Sequence, residues 1–349
     1  MHMADALVSP AVGGTMWVVS GGLLAWCARK VRESARDNLV PLMGILGAFV
    51  FTAQMINFTI PGTGSSGHLG GGLLLAALLG PHAAFLALAS ILTIQALFFA
   101  DGGLLALGCN MFNMGFFPAF VAYPLVYRVV ARDGHLSGRA MGAAVLASVA
   151  GLLLGAFGVV LETSASGISE LPFGTFVLMM LPIHLAIGIV EGVTTAAVVA
   201  FVARARPEAV FGHEGVGAAN GSWRPVWIGL GAAALLTGGG LSWFASTHPD
   251  GLEWSVARVA GQEELEAPEG GMHQRLAAIQ EAVAVLPDYG FKSPESAEES
   301  EDAEESAAAW PEISAGTSVS GVAGGFATLA LVGLIGLALR GWRGSPRAA

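Results

Sequence analysis

Two stretches of this chain, Gly142 to Val160 and Phe173 to Val202, are apolar apart from glycines and scattered polar residues. A hydrocarbon core about 30 Å thick needs roughly 20 such residues per helix, and neither stretch keeps a polar face that could meet water. One large soluble core is therefore excluded, and the chain belongs in lipid. Composition agrees: 54% of the 349 residues are hydrophobic and 12% charged, where a soluble domain carries roughly a quarter charged. The 49 glycines fit the same class, because small residues let membrane helices approach closely. The fold class that follows is all-α, a polytopic membrane helix bundle with a seven-helix core and two further transmembrane helices.

Candidate spans lie at roughly residues 12–28, 39–60, 69–80, 82–100, 103–128, 139–161, 173–203, 226–245 and 317–340. The third is too short to cross alone and is expected to be a short helix shielded by its neighbours or part of a broken pair. Positive charge fixes the parity. Arg29, Lys30, Arg32 and Arg36 follow the first span, Arg128, Arg132 and Arg139 bracket the loop after the fifth, Arg204, Arg206 and Arg224 follow the seventh, and Arg340, Arg343 and Arg347 close the chain. All fall on one side if nine spans run from an outer N-terminus to a cytoplasmic C-terminus, as the positive-inside rule requires. The expected location is the cytoplasmic membrane of a bacterium or archaeon.

A composition shift at 207–225 divides a seven-span domain, 1–206, from a two-span domain, 226–342. The outer loop of the latter, 246–315, holds 16 of the 26 acidic residues. It reads as a solvated excursion and not a nucleic-acid surface, with 295–305 too polar to fold. Cys27 and Cys109 sit in apolar stretches and read as packing residues. Met1 to Ala11 lacks the basic start of a cleavable signal, so the mature chain is expected to begin at Met1.

The opening residues are Met1-His2-Met3-Ala4-Asp5. The amine of Met1, the backbone nitrogen of His2 and its imidazole Nδ1 can close fused rings around one metal, three nitrogens in a plane. A fourth nitrogen completes a square, the geometry that favours Ni(II) or Cu(II) over tetrahedral Zn(II). His68 can supply it: it is the one strong ligand in Gly62-Thr63-Gly64-Ser65-Ser66-Gly67-His68, a loop whose glycines permit close backbone approach. A loop histidine is usually polar surface; its placement on the same outer face as His2 singles it out.

Asp101, Asn110, Asn113 and Glu191 are candidates because polar groups in a membrane are costly to bury. Asp101 reads as interfacial, the asparagines as interhelical glue or supports for a ligand, and Glu191 as the partner of a buried histidine or of another subunit. His82, His184, Met55, Met111 and Met114 read as structural. No Gly-x4-Gly-Lys-Ser/Thr sequence is present, so ATP hydrolysis through a P-loop is not expected in this chain.

Taken together, the Met1-to-Leu7 opening, the glycine loop with His68 and the stretch from Asp101-Gly102-Gly103 to Asn113-Met114 resemble the CbiM/NikM family. These are the cobalt and nickel substrate-capture subunits of energy-coupling factor transporters, and the resemblance covers about residues 1–205. It implies Met1, His2 and His68 as metal ligands, and Ni(II) or Co(II) as transported substrate with no cofactor of the chain's own. It also implies a membrane coupling subunit and two ATP-binding subunits as separate chains. Residues 225–342 resemble the small accessory subunit of the same systems, through Pro249-Asp250-Gly251-Leu252-Glu253 and Leu286-Pro287-Asp288-Tyr289. The expected function is metal capture for ATP-driven uptake, not catalysis. A self-sufficient secondary carrier is the competing reading; it would need coupling acids at the midplane and often shows inverted repeats, and Glu191 is the strong midplane acid available. A membrane metalloenzyme would need an open metal position with a general base, and no such motif is present.

Overall fold

In the computed structural model, residues 2–34, 38–132, 136–211, 222–262, 265–268, 270–292 and 310–341 are described. Helix α1 (Pro10–Glu33) begins with proline in its first turn, and the Ser9 side chain accepts from Val12 N at 3.4 Å, which satisfies an amide the helix leaves orphaned. Helix α2 (Leu39–Gln54) ends earlier than the span expected to residue 60. The chain instead forms a hairpin in which β1 (Phe58–Ile60) pairs antiparallel with β2 (Ser65–Gly67), Phe58 facing Gly67. Gly62 and Gly64 take the positive φ of the connecting turn, which glycine reaches without steric cost.

The third expected span is α3 (Gly72–Leu79), whose eight residues are all buried, and α4 (Pro81–Phe98) follows. Helix α5 (Leu107–Met111) continues through a wider π-helical stretch, Phe112–Tyr127, containing Pro118 and Pro124, into α6 (Arg128–Ala131). Helices α7 (Gly138–Ser166) and α8 (Phe173–Ala205) lie side by side. A Cβ at Gly188 would stand 2.7 Å from Val149 Cα, and one at Gly192 would collide with the Val145 backbone. That four-residue spacing of small residues brings two membrane helices into backbone contact. Leu146, Leu161, Leu178, Leu185 and Val193 face outward from this pair, as lipid-facing positions do.

The second half contributes α9 (Arg224–Gly239) and α12 (Ala315–Gly341), both packed on α2. Among the described residues, six helical segments are long and apolar enough to cross a membrane, while α2, α3 and α9 run to 16, 8 and 16 residues. Part of the acidic outer segment differs from its expected form. Up to Lys292 it is largely folded, with α10 (Gly251–Ala260) and α11 (Gly271–Val283) lying over the first half. Some of its polar groups bond to the first half: His273 Nε2 lies 2.9 Å from Val8 O, and Gln280 Nε2 donates to Ala96 O at 2.9 Å and Gly102 O at 2.8 Å. Residues 295–305 lie outside the described residues.

Candidate metal site

Residues 2–8 are threaded into the protein. Met3 and Val8 have no exposed surface. Met3 N donates to Asn110 Oδ1 at 2.8 Å, while Asn110 Nδ2 at 3.2 Å and Gly103 N at 2.9 Å donate to Met3 O. Asp5 Oδ1 accepts from Ala106 N at 3.0 Å. Gly103 has to be glycine, because a Cβ there would collide with the Asp5 carboxylate. Asn113 donates to Glu162 Oε2 on α7 at 2.6 Å and reaches Met3 Sδ at 3.9 Å. The two asparagines thus hold the N-terminal segment as well as joining helices. Asn110→Leu would leave a buried amide of Met3 without an acceptor, at about 1–3 kcal/mol. A loss of about 10- to 100-fold in nickel affinity is expected on metal titration, and a change below about twofold would mean the seat does not govern the site.

This seat delivers His2 to His68. The two rings stack with centroids 5.1 Å apart and 14° between planes. His68 Nδ1 lies 3.1 Å from Leu69 O; a carbonyl only accepts, so Nδ1 carries the proton and Nε2 the lone pair. His2 Nδ1 lies 3.2 Å from Asp101 Oδ1, and His2 Nε2 is buried without a hydrogen bond of good geometry among the described residues. The chelate expected from the sequence needs Nδ1 turned to the metal, which is a half turn of the ring about Cβ–Cγ from this arrangement. Met1, the third expected ligand residue, lies outside the described residues. Burial is the main cause that lowers the basicity of both imidazoles, His68 to about 3; Asp101 opposes it on His2 and Asp250 on both. Both rings are therefore neutral at pH 7 and offer lone pairs.

The loop carrying His68 is pinned from below. Gly70 N donates to Glu191 Oε2 on α8 at 2.7 Å, Gln54 Nε2 donates to Gly70 O at 2.9 Å, and Gln95 Nε2 donates to Gln54 Oε1 at 2.8 Å. Glu191, expected as a supporting polar residue that pairs with a buried histidine or faces another subunit, is 2% exposed and its carboxylate holds the backbone of the loop that carries His68.

From above, the second half closes over the same loop. Ser66 N donates to Pro249 O and Ser66 Oγ to His248 O, both at 2.8 Å, and Trp254 Nε1 donates to Thr63 O at 3.0 Å. Asp250 Oδ1 caps α10, accepting from Leu252 N at 2.7 Å and Glu253 N at 2.9 Å. Leu286 N and Asp288 N donate to Phe98 O and Phe99 O, and Tyr289 OH donates to Asp101 Oδ2 at 2.5 Å. Asp101, expected at the outer interface, bridges Tyr289 and His2. An open cavity of about 530 Å³ reaches His2 and His68; Asp5, Asp101, Asp250, Glu253, Asp288 and Glu312 line it, and no lysine or arginine among the described residues does. Sequence reasoning passed over Gln54, Gln95, Glu162, Asp250 and Tyr289 as site residues. Glu162 could have been flagged, being the acid at the end of a long apolar run.

A family model described as the cobalt uptake substrate-specific transmembrane region, CbiM, matches residues 2–209. The chain belongs to the CbiM family. A PDGLE domain model matches residues 224–341 of this CbiM-family chain, so both halves have counterparts. The probable fused nickel transport protein LarMN of Lactiplantibacillus plantarum is 34% identical over 82% of this chain and 90% of its own length. The fused nickel transport protein NikMN of Rhodobacter capsulatus is 33% identical over 83% and 88%. The cobalt transport protein CbiM of Geobacter sulfurreducens is 32% identical over 60% of this chain and 61% of its own. A solved structure titled as a truncated transition metal transporter shares 33% identity at a TM-score of 0.52, covering 58% of this chain and 99% of that one. This CbiM-family protein is a multi-pass membrane component of metal uptake, with nickel and cobalt transport proteins among its relatives.

Proposed function

We propose that this chain is the substrate-binding subunit of an ATP-driven importer for Ni(II) or Co(II). It captures the ion at the outer face of the cytoplasmic membrane through the amine of Met1, the backbone nitrogen and imidazole of His2, and His68. The observation that carries this reading is the buried stack of His2 on His68 at the end of a threaded N-terminal segment. Two neutral imidazoles placed together offer nitrogen ligands, and planar nitrogen ligation suits Ni(II). On loading, the His2 ring turns its Nδ1 from Asp101 to the metal, leaving Nε2–H for Asp101; a carboxylate behind a ligating histidine fixes its orientation. The acid-lined cavity raises the local concentration of divalent cations before capture.

The chain divides into a capture domain, 1–206, a cytoplasmic linker, 207–225, and an accessory domain, 226–342, with the N-terminus outside. Energy enters through a membrane coupling subunit and two ATP-binding subunits. Against a self-sufficient carrier stands the engagement of Glu191 by the Gly70 amide, which commits the expected coupling acid to holding the loop. The test is nickel accumulation by cells expressing this chain with and without the coupling and ATP-binding chains, beside His68→Ala. Uptake is expected only with all chains present and is abolished by the substitution. Full-rate uptake by this chain alone would instead establish the carrier.

A further inference from the structure

We propose that α11 is an interfacial helix whose stripe of Met272, Ile279 and Val283 is sunk into the lipid leaflet on the same side of the membrane as the His2–His68 stack. The partner is the phospholipid surface itself. The inference goes beyond metal capture and does not depend on which residues ligate the ion.

At about 3.6 residues per turn, Met272, Leu276, Ile279 and Val283 fall on one face of α11. Met272, Ile279 and Val283 are 50%, 51% and 42% exposed. Single exposed apolar residues are ordinary on a water-facing surface, but a stripe of them marks a contact. Gln274 and Glu281 stand exposed on the opposite face, as in helices that lie in a membrane boundary. The contacts with the first half are made about a quarter turn away, by His273 and Gln280. Ala277 and Gln280 line the open cavity, so the stripe is turned away from it.

The helix lies at the level of the span ends. His273 Nε2 meets Val8 O, just before α1 begins at Pro10, and Gln280 Nε2 meets Ala96 O, close to the end of α4 at Phe98. Helices α1 and α4 pack together, and packed helices stand about 8–10 Å apart. The rise from His273 to Gln280 is about 10 Å, so α11 runs from one span end to the next, across the bundle and not along it. Its stripe also continues into the apolar rim of the spans. Val285 N and Leu286 N donate to Phe98 O, which sets exposed Val285 beside exposed Phe98, the last residue of a span. Farther round, exposed Phe244 and Trp310 meet edge to face at 5.8 Å, beyond the end of α9 and before the start of α12. Aromatic residues collect at this level of a membrane, and that continuity names lipid as the occupant. His273 and Gln280 also hold Val8 O and Gly102 O, on either side of the seat of the N-terminal segment, so contact with lipid steadies the cover over the site.

The test places a bimane label on Ile279→Cys, Val283→Cys or Gln274→Cys in the purified full chain, reconstituted into phosphatidylcholine nanodiscs. All three positions are exposed, so no packing is lost, and Cys27 and Cys109 are buried away from the label. Lipid carrying a nitroxide near its headgroup is expected to quench the labels at Ile279 and Val283 at least about threefold more than the label at Gln274, with aqueous iodide showing the reverse order. Equal quenching by lipid at all three positions would overturn the proposal, as would free access of iodide to the stripe. Protection of the stripe from both quenchers would overturn it as well, making a protein surface such as a second copy of this chain the occupant.

Discussion

Acetylating the terminal amine of the purified protein lowers its nickel affinity by at least about 1,000-fold, roughly 4 kcal/mol. His2→Ala does the same. In the proposed ligand set the amine and the His2 nitrogens close one set of fused rings, so removing either end would open the chelate and withdraw the charge change that lets the amide nitrogen bind. The protein cannot shift to a neighbouring register, because Met3 is fully buried and bonded through both its N–H and its C=O. A blocked amine is a cleaner perturbation than an added residue. One extra residue would place the histidine third in the chain, where a different N-terminal chelate becomes possible. Calorimetric titration of the acetylated protein checks the effect, and retention of wild-type affinity would move the site away from the N-terminus.

Acidity has a comparably large effect. With the proposed ligands, metal binding would release one proton from the His2 amide and, below the amine's ordinary pKa of about 7.7–8.0, a second from the terminal amine. The imidazoles release none near neutrality, because burial holds both below their ordinary value, His68 at about 3. Nickel affinity should therefore rise about 100-fold per pH unit between about pH 5.5 and 7.5, and about tenfold per unit above the amine's pKa. Were the histidines protonated at the start, the slope below about pH 6 would be steeper still. Titrations in buffers of different ionisation enthalpy count the protons directly, and a slope of one or less throughout would mean the amide is not displaced. The empty protein carries the linked effect. Since His68 binds a proton more readily when unfolded, its stability is complete above about pH 6.5 and declines as the pH falls below that.

The helices were legible because uninterrupted apolar runs leave few alternatives in lipid, and the short third span because its neighbours required it to be shielded. The hairpin was not. Phe58-Thr59-Ile60 is as apolar as the helix before it, and only the two positive-φ glycines of the turn separate strand from span. His2 and His68 could be picked out by ligand chemistry alone, since few side chains offer a nitrogen beside a free amine. Their supports could not: Ser66 meets Pro249 and Asp101 meets Tyr289 across more than half the chain, where no local pattern reports proximity. Glu191 shows the other limit. A buried acid signals a buried partner, but here that partner is a backbone amide, Gly70 N, which every residue type except proline could have provided.

X-ray absorption of the nickel-loaded full-length protein tests the central claim most directly. The account predicts a pre-edge feature of planar nickel and a first shell of four nitrogens, with the multiple-scattering signature of two imidazoles that falls to one in His68→Ala. A six-coordinate shell of oxygen donors, unchanged by His2→Ala, would contradict it.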